Sequence, residues 1–395
     1  MSCRRYAPVK KAVIVSCFGS YFFEERLKYI YRSLVKYDYE VKILMSNFNH
    51  TKKEEIKLGT YPNYVELIPT REYRSNISIS RVLSHMDFAK EISRKIENIS
   101  PDIIYYLMPP NIVGKVISNY KNKHDSCFLI ADVMDLWPES FPIPCFHSRV
   151  NVLGKIWRSI RTKSLKNTDY TIFECGLYKR QLGIDNNCQV IYLPMRKFKQ
   201  EETSDHVINN HSVLKIAYIG QVSHIVDMDL IENILKKINI KQQLELHVIG
   251  TGTNYDNFID RIKGVVTKVY EYGPIYEDDK IQQLIGDCHF GLNIMKDNVQ
   301  VGLTMKSMIY IGLGIPLINN IKGDTWELVD QYGVGINVLG GALQYDDIMK
   351  YQEMCKNMKR LQKNIFSPIA IQKKFDDVIG SIVTMLDRGG LICKS

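Results

Sequence analysis

Strands alternating with helices are the feature that most constrains the fold, and this alternation occurs twice along the 395 residues. It implies right-handed crossovers and a parallel sheet covered on both faces. Long helical periodicity covers residues 79–99 and 112–120 in the first half, and two closing helices are predicted at 346–362 and 369–386. The predicted strands of the first half are residues 11–17, 41–44, 65–68, 103–107, 128–133, 170–173 and 190–193. Those of the second half are residues 214–219, 244–249, 269–272, 290–294 and 316–318.

A polar segment at residues 199–212, KQEETSDHVINNHS, separates the two series and is the predicted linker. We therefore expect an α/β fold of two doubly wound, Rossmann-like domains in tandem, residues 1–198 and 213–368, facing a cleft. The closing segment 369–395 is expected to pack back toward the first domain. Ligands of open α/β sheets bind at the carboxyl ends of the strands, so the cleft is the expected site.

Hydropathy and cysteine usage favour a cytoplasmic protein. No apolar run approaches the roughly 20 residues that cross a bilayer. The first 20 residues place basic residues before a short apolar run, which we interpret as a buried first strand, with a signal peptide as the weaker alternative. The nine cysteines include no C-x-x-C pair, which favours free thiols over a disulfide framework or a zinc site.

Charge is unevenly distributed between the two halves. Residues 1–200 carry 32 Lys and Arg against 19 Asp and Glu, whereas residues 201–395 carry 20 against 24. Such asymmetry suggests that the first half faces a membrane surface, a phosphorylated acceptor or nucleic acid, with an uneven solvated surface as the alternative. Nucleic acid is disfavoured because the chain shows no recognition module.

A basic amphipathic helix is predicted at residues 149–167, and it accounts for part of the positive charge. Trp157 lies on its apolar face, and Arg158 and Arg161 lie on the basic side. Helices of this composition rest on anionic membranes. These three residues are therefore the predicted membrane contacts, although a core helix with a solvated basic face is equally compatible with the pattern.

Lys306 occupies the first turn of a predicted helix that Thr304 caps, with no carboxylate beside it. A cation at a helix start costs about 0.3–1 kcal/mol when exposed. One interpretation is an exposed lysine that tolerates this cost. The other is a diphosphate over the helix start, held by the ammonium group and by the N–H groups of Lys306 and Ser307.

Glycines follow several strands of the second half, where they let backbone N–H groups approach a phosphate or a sugar closely. Gly250-Thr251-Gly252 supplies only the first half of the dinucleotide pattern G-x-G-x-x-G, so an NAD site is disfavoured. Asp227-Met-Asp229 imitates a metal-binding D-x-D motif, but it opens a helix, so helix capping is expected instead. No His, Cys and Asp cluster has the spacing of a metal site.

An acidic loop follows a predicted strand in the first half, within IADVMDLWPESFPIP at residues 130–144. Asp132, Asp135 and Glu139 lie in this loop. Acceptor binding or proton handling is one interpretation, and capping of the following turn is the other. Gly19 and Ser20, after the first strand, are further candidates for an acceptor contact.

The sequence resembles the GT-B glycosyltransferases, in the retaining, nucleotide-sugar-dependent group of bacterial capsule, exopolysaccharide and O-antigen synthesis. The resemblance covers most of the chain and is most specific in DVMDLWPESF, residues 132–141, and in residues 293–338. It implies transfer of a sugar from a UDP- or GDP-sugar to a lipid-linked acceptor of the undecaprenyl-diphosphate type. It also implies that no metal or other cofactor is used, and that the enzyme lies at the inner face of the cell membrane.

The resemblance assigns the donor site. By it, Lys306 would bind the donor diphosphate, the loop at Gly220 would pass beneath the diphosphate, and the loops at residues 250–252 and 272–273 would border the nucleotide. With the helix start added, the predicted donor-binding residues are Gly220, Gln221, Gly250, Thr251, Gly252, Tyr272, Gly273, Thr304, Lys306 and Ser307.

The acceptor side is predicted from the loops of the first half and comprises Gly19, Ser20, Asp132, Asp135 and Glu139. Lys306 and, as an acceptor contact, Asp135 are the predicted catalytic residues.

Three positions depart from the pattern of the family. Val301 and Ile309 stand where many relatives carry glutamates, and Gln221 stands where an arginine is usual. Asp297, Asn298 and Asp324 are the candidate substitutes for the missing acid. These departures keep open a catalytically impaired partner or scaffold, and an epimerase of the same fold is the remaining alternative.

Overall fold

The computed structural model describes residues 9–18, 21–57, 59, 61–140, 152–196, 198, 213–340 and 342–388. The chain divides into two compact units. Unit 1 takes in the described residues of Met1–Glu174, Tyr178–Leu193 and Ile371–Ser395, and unit 2 those of Cys175–Leu177 and Pro194–Ala370. The predicted linker, residues 199–212, lies outside the described residues.

Unit 1 is built on a seven-stranded parallel sheet with the order β5-β2-β1-β6-β7-β8-β9. A short antiparallel pair, β3 with β4, lies apart from it. The strands are β1 (Lys11–Ser16), β2 (Glu40–Ser46), β3 (Phe48–Asn49), β4 (Glu54–Glu55), β5 (Val65–Ile68), β6 (Ile103–Met108), β7 (Phe128–Val133), β8 (Tyr170–Phe173) and β9 (Cys188–Val190). The helices along this part of the chain are α1 (Tyr21–Lys36), α2 (Ile79–Ile99), α3 (Asn111–Lys121), α4 (Val152–Lys166) and α5 (Gly176–Leu182).

The central strands of unit 1 are buried on both faces, as their nearly continuous apolar sequences predict. Alternate residues of each strand enter two separate apolar clusters. The first cluster also contains Ile371, Phe375 and Ile379 of the closing helix α13 (Pro368–Asp387). Residues of the chain's last described helix thus pack into the core of the unit that its first strand opens.

Unit 2 is built on a six-stranded parallel sheet with the order β12-β11-β10-β13-β14-β15. Its strands are β10 (Leu214–Gln221), β11 (Leu244–Thr251), β12 (Lys268–Gly273), β13 (Phe290–Asn293), β14 (Leu317–Asn319) and β15 (Gly335–Asn337). Its helices are α6 (Met228–Asn239), α7 (Tyr255–Lys263), α8 (Asp278–Ile285), α9 (Met305–Leu313), α10 (Asp324–Tyr332), α11 (Tyr345–Ile348), α12 (Tyr351–Leu361) and a π-helix (Gln362–Phe366).

Both sheets reverse their strand order at one place, which is where open α/β sheets bind their ligands. The reversal lies between β1 and β6 in unit 1 and between β10 and β13 in unit 2. In unit 2 the strands follow the Rossmann order 3-2-1-4-5-6. The carboxyl ends of β10 and β13 are therefore the first place to look for a site.

The sequence prediction of two parallel, Rossmann-like sheets is confirmed. The edge strand β15 and the β3–β4 pair are absent from the prediction because each is only two or three residues long. The predicted helix at 346–362 is instead divided into α11, α12 and the π-helix. The capping role of Asp227 is confirmed, because its side chain accepts a hydrogen bond from Leu230 N. In the described part of the chain, no helix has both the length and the hydropathy to cross a membrane.

Candidate functional site

Lys306 lies at the strand-order reversal of unit 2, in the first turn of α9. Thr304 caps this helix, and its hydroxyl accepts a hydrogen bond from Ser307 N at 3.0 Å. The Lys306 side chain is buried, with 8% of its surface exposed. Its Nζ donates to the Tyr218 hydroxyl at 2.9 Å and lies 4.1 Å from the centroid of that ring.

Gly220, at the end of β10, gives Lys306 the room that it occupies. The glycine has φ +117°, and a Cβ added there would lie 3.1 Å from Lys306 Cε. A side chain at this position would both strain the backbone and press on the lysine stem. The strand end and the lysine side chain therefore pack directly against each other.

The ammonium group of Lys306 is buried without an acidic partner. Among the described residues, no carboxylate lies within ion-pair distance of its Nζ. Burial lowers the pKa of Lys306 to about 7, since desolvation penalises the charged form. The interpretation of Lys306 as an exposed lysine is therefore wrong.

A network of polar side chains fixes the start of α9 from below. Asn293, at the end of β13, donates to Ser307 Oγ at 3.1 Å and to Asn319 Oδ1 at 2.8 Å. Its own carbonyl oxygen accepts from Thr304 Oγ1 at 2.8 Å. Thr325 lies 3.3 Å from Ser307 Oγ and donates to the Gly302 carbonyl at 2.9 Å. The network is buried and rigidly connected, so it positions the helix start rather than offering groups to a ligand.

This network corrects the prediction for Ser307. Its N–H already donates to Thr304, and its hydroxyl lies within the buried network, so neither group is available to a diphosphate. In the part of the chain that the structure describes, the N–H groups of Met305 and Lys306 are the ones at this helix start without an acceptor. Two N–H groups and the ammonium group therefore remain for an anion.

The other strand ends of unit 2 are also closely packed. Gly250 and Gly252 are required sterically, because an added Cβ would lie 2.3 Å from the Gly220 carbonyl oxygen and 2.2 Å from that of Val222, respectively. Gln221 and Thr251 are exposed beside them. The backbones of β10 and β11 thus approach each other at these strand ends as closely as glycine permits. Such closely packed backbone suits contact with a bound nucleotide.

Tyr272 and Gly273 end the edge strand β12. The Tyr272 hydroxyl lies 2.8 Å from His247 Nδ1, and Tyr270 stacks on the same histidine. Gly273 has φ +69°, and a Cβ there would meet nothing within 4 Å. These residues border the carboxyl edge of the sheet, with the tyrosine hydroxyl already engaged.

Ile309 and the candidate substitutes for the missing glutamates differ in their surroundings. Ile309 is buried in α9, as an apolar core residue. Asp324, a candidate substitute, is fully buried, and its carboxylate accepts from Gly176 N at 2.5 Å and Leu177 N at 2.8 Å. The carboxylate is therefore already engaged by backbone N–H groups of its own unit, and the prediction of Asp324 as the missing acid is wrong. Asp297 and Asn298 are exposed in the loop before α9.

In unit 1, Asp132 belongs to the core. Its carboxylate receives Arg26 Nε at 2.5 Å and Arg26 Nη2 at 2.9 Å, and it also contacts the Tyr105 hydroxyl. Arg26 donates further to the Ile191 carbonyl at 2.9 Å. Because Asp132 is fully buried in this arrangement, it is a structural ion pair, and its prediction as an acceptor contact is wrong.

The rest of the acidic loop is held by local contacts. Asp135 accepts hydrogen bonds from Leu136 N at 2.7 Å and from Trp137 Nε1 at 2.9 Å, and burial raises the pKa of its carboxyl group. It therefore caps the turn, the alternative interpretation of this motif. Glu139 binds Arg161 in a two-bond ion pair, at 2.5 and 3.0 Å. Gly19 and Ser20 lie outside the described residues.

Helix α4 turns a different face inward from the one its apolar stripe suggests. Its buried residues are Gly154, Arg161, Ser164 and Leu165. Small residues let α4 approach α3, where a Cβ on Gly114 would lie 3.1 Å from Ser164 Cβ. Arg161 is thus buried beneath the acidic loop, so its prediction as a membrane contact is wrong. Trp157 and Arg158 are half-buried.

Sequence reasoning missed a cluster at the carboxyl edge of the unit 1 sheet. Aromatic and histidine rings pack around the Arg81 guanidinium, which lies 4.6 Å from the Trp137 ring centroid and 5.8 Å from those of Phe18 and Tyr73. His50 and His85 complete the cluster. Phe18, Tyr73 and Trp137 follow the ends of β1, β5 and β7, and this shared position was the available signal.

Arg81 carries the positive charge at the centre of this cluster, and burial keeps the two histidines neutral. Burial, with Arg81 nearby, lowers the pKa of His50 to about 4 and that of His85 to about 3. Burial also lowers the pKa of Arg81 itself. A bound anion would raise all three pKa values. A metal ion would find few ligands, because across the described residues no group of three or more His, Cys, Asp or Glu could hold a metal ion.

Comparison with known proteins gives a fold rather than a sequence family. No family model matches the chain, and no curated protein matches it in sequence. The chain is similar in structure to the apo form of the lipopolysaccharide outer core galactosyltransferase WaaB, with a TM-score of 0.62, 14% identity, and coverage of 94% of this chain and 99% of that one. It is also similar to HepE from Anabaena in complex with UDP, with a TM-score of 0.61, 13% identity, and coverage of 94% and 100%.

A glycosyltransferase from Rickettsia africae is similar as well, with a TM-score of 0.56, 14% identity, and coverage of 95% of this chain and 99% of that one. At these identities the likeness concerns the fold alone. The two parallel, Rossmann-like sheets in tandem are therefore those of the GT-B glycosyltransferase fold.

Proposed function

We propose that this protein is a glycosyltransferase that moves a sugar from a UDP- or GDP-sugar to a lipid-linked saccharide acceptor. The observation that carries the proposal is Lys306, a buried ammonium group at the strand-order reversal of unit 2 that no carboxylate of the described residues pairs. Similar structures were solved with UDP and with UDP-glucose, which supports a nucleotide-sugar as the donor.

In the proposed reaction, the bond between the anomeric carbon and the diphosphate oxygen breaks as the acceptor hydroxyl oxygen attacks that carbon. The hydroxyl proton passes to the departing diphosphate. Lys306 Nζ and the N–H groups of Met305 and Lys306 stabilise the charge that develops on the leaving group. The rigid network of Asn293, Thr304 and Ser307 beneath α9 holds these donors in place.

This arrangement supplies a positive charge to the leaving group from the protein itself. We therefore propose that transfer needs no metal, which predicts activity that survives a chelator. The anomeric outcome, retention by the family resemblance, is read from the anomer of the product. A cytoplasmic protein resting on the inner face of the membrane would meet a lipid-linked acceptor there, and the positive charge of residues 1–200 supports an anionic surface as its partner.

Isothermal titration with UDP and GDP tests the donor assignment. We expect one nucleotide to bind the native protein and Lys306→Met to weaken that binding at least 30-fold, about 2 kcal/mol for a buried charge-assisted contact. Lys241→Met is the matched control, because Lys241 is exposed between α6 and β11, at the opposite edge of the same sheet. It should bind as the native protein does.

Each other outcome has a defined meaning. Binding of neither nucleotide would contradict the transferase proposal, and equal loss in both variants would contradict the position of the diphosphate. Nucleotide binding without consumption of any UDP- or GDP-sugar, in the presence of lipid-linked acceptors, would instead indicate a scaffold that retains the fold.

A further inference from the structure

Unit 1 contains a cavity of about 610 Å³ that the donor-site residues do not line. It opens between α2 and α4, whose facing side chains are mostly aliphatic. Two of them, Ile79 and Leu153, are 80% and 65% exposed at its rim. The volume lies within the range of about 300–1,000 Å³ that small-molecule sites occupy. A hydrocarbon chain matches this lining, since it removes exposed apolar surface from water.

The inner end of the same cavity contains the positive charge of Arg81 and a neutral histidine. Arg81 and His85 line it, with only 7% and 4% of their surfaces exposed. Arg81 Nη1 donates to the Asn76 carbonyl at 2.7 Å. Its Nε, and Nε2 of His85, are buried without a hydrogen-bond partner in the described structure. A buried, unpaired polar group destabilises the fold, and a hydrogen-bond acceptor on a ligand would relieve that cost.

No acid of the chain neutralises this end of the cavity within the described ranges. The charge of Asp135 reaches Arg81, but its two oxygens accept from Leu136 N and Trp137 Nε1. Lys53 adds a second cation nearby, 4.8 Å from the Tyr73 ring centroid. A buried arginine that forms no ion pair with a described carboxylate, at the end of an apolar cavity, is complementary to an anionic head on a hydrocarbon tail.

We propose that this cavity binds a single-chain lipid phosphate, an isoprenyl or alkyl phosphate or diphosphate. The phosphate oxygens accept from Arg81 and His85, and the first carbons of the chain lie between α2 and α4. A purely apolar peptide or a second copy of this apolar face would leave the arginine unpaired. That this lipid carries the acceptor saccharide rests on the proposed function. Binding of the lipid itself does not, because it requires no nucleotide-sugar donor.

Tryptophan fluorescence offers a direct test, since two of the three tryptophans, Trp137 and Trp157, line the cavity. Trp326, in unit 2, is replaced by phenylalanine to remove its signal. Farnesyl diphosphate is the probe, with farnesol and inorganic pyrophosphate as its two separate parts. We expect saturable binding of the probe at least tenfold tighter than that of either part, and unchanged by saturating UDP. Persistence with UDP separates this site from the donor site.

Substitutions locate the lipid in the cavity. Arg81→Met should weaken binding at least tenfold, and Arg71→Met, which removes an exposed arginine paired with Asp87, should not. Because Arg81 is buried, Ile79→Glu provides a second variant at the exposed rim, expected to weaken binding similarly with an unchanged unfolding temperature.

Three results would overturn the inference. If farnesol binds as tightly as farnesyl diphosphate, Arg81 does not recognise the phosphate. If Ile79→Glu binds the probe as the native protein does, the hydrocarbon chain does not lie in this cavity. A dimer that sedimentation detects and that the probe does not dissociate would identify the apolar rim as a subunit interface instead. Loss of UDP binding with intact lipid binding would leave this inference standing while contradicting the donor site.

Discussion

Two buried lysines, one in each unit, show how differently this protein treats the same charge. Lys121, at the end of α3, and Lys306, at the start of α9, are 7% and 8% exposed. Lys121 Nζ is surrounded by oxygen atoms, with the Cys127 carbonyl at 2.7 Å, the Asp125 carbonyl at 2.8 Å and the Asp169 carboxylate at 3.1 Å. Among the described residues, Lys306 Nζ has a single hydrogen-bond acceptor, the Tyr218 hydroxyl at 2.9 Å.

The difference lies in what compensates the charge. Lys121 is neutralised and fully coordinated by its own unit, so it contributes to the fold. Lys306 keeps unused donor capacity, and burial lowers its pKa to about 7. A buried ion is expensive unless it is paired, so an unpaired one is expected where a ligand completes it. The partner of the charge, rather than its burial, therefore distinguishes a structural lysine from a functional one.

The largest effect should come from breaking the compensated pair. Lys121→Met would leave the Asp169 carboxylate buried beside an apolar side chain, and removal of one partner of a buried pair costs about 3–5 kcal/mol. We expect the free energy of unfolding of the variant, measured with urea, to fall by that amount. A fall of less than about 1 kcal/mol would show that Asp169 finds another partner. Lys121 would then not be a structural lysine, and the contrast with Lys306 would be wrong.

A smaller effect, on binding, should follow from the lowered pKa of Lys306. Above pH 7 the free protein carries this lysine mostly neutral, so diphosphate binding must take up a proton. We expect the Kd for UDP-glucose to rise about tenfold per pH unit, hence nearly tenfold between pH 7.5 and 8.5. Titration in buffers of different ionisation enthalpy should show uptake of about one proton at pH 8.5. A Kd that is independent of pH would mean that Lys306 is charged throughout this range.

The sequence predicted much of the fold because strands and crossover helices leave local patterns. Buried parallel strands read as short apolar runs, and the predicted bounds of β5, β7 and β8 match the structure. Lys306 could be singled out for a similar reason, since a cation in the first turn of a capped helix is a local anomaly. Whether it was exposed could not be predicted, because burial depends on Tyr218, 88 residues away.

Pairings across long sequence separations explain the predictions that failed. Asp132 is joined to Arg26 over 106 residues, and no local pattern announces that pair. The face of α4 that turns inward depends on how closely Gly114 of α3 allows Ser164 to approach. A hydrophobic stripe therefore gave the wrong orientation for Arg161. The cluster around Arg81 is assembled from five strand-end and helix segments, so it becomes visible only in the folded sheet.

The stability of Lys306→Met without nucleotide is the most direct test of whether Lys306 is buried without a compensating charge. The folded-state pKa of Lys306, about 7, lies below its ordinary value of 10.5, so the unfolded state binds more protons between these values. Stability of the native protein should therefore rise with pH across this window. At pH 7 the variant, freed of the buried charge, should be more stable by about 2–4 kcal/mol. The advantage should shrink toward pH 10. If the variant is equally or less stable than the native protein at pH 7, Lys306 is not an uncompensated buried charge, because its charge would then be compensated like that of Lys121.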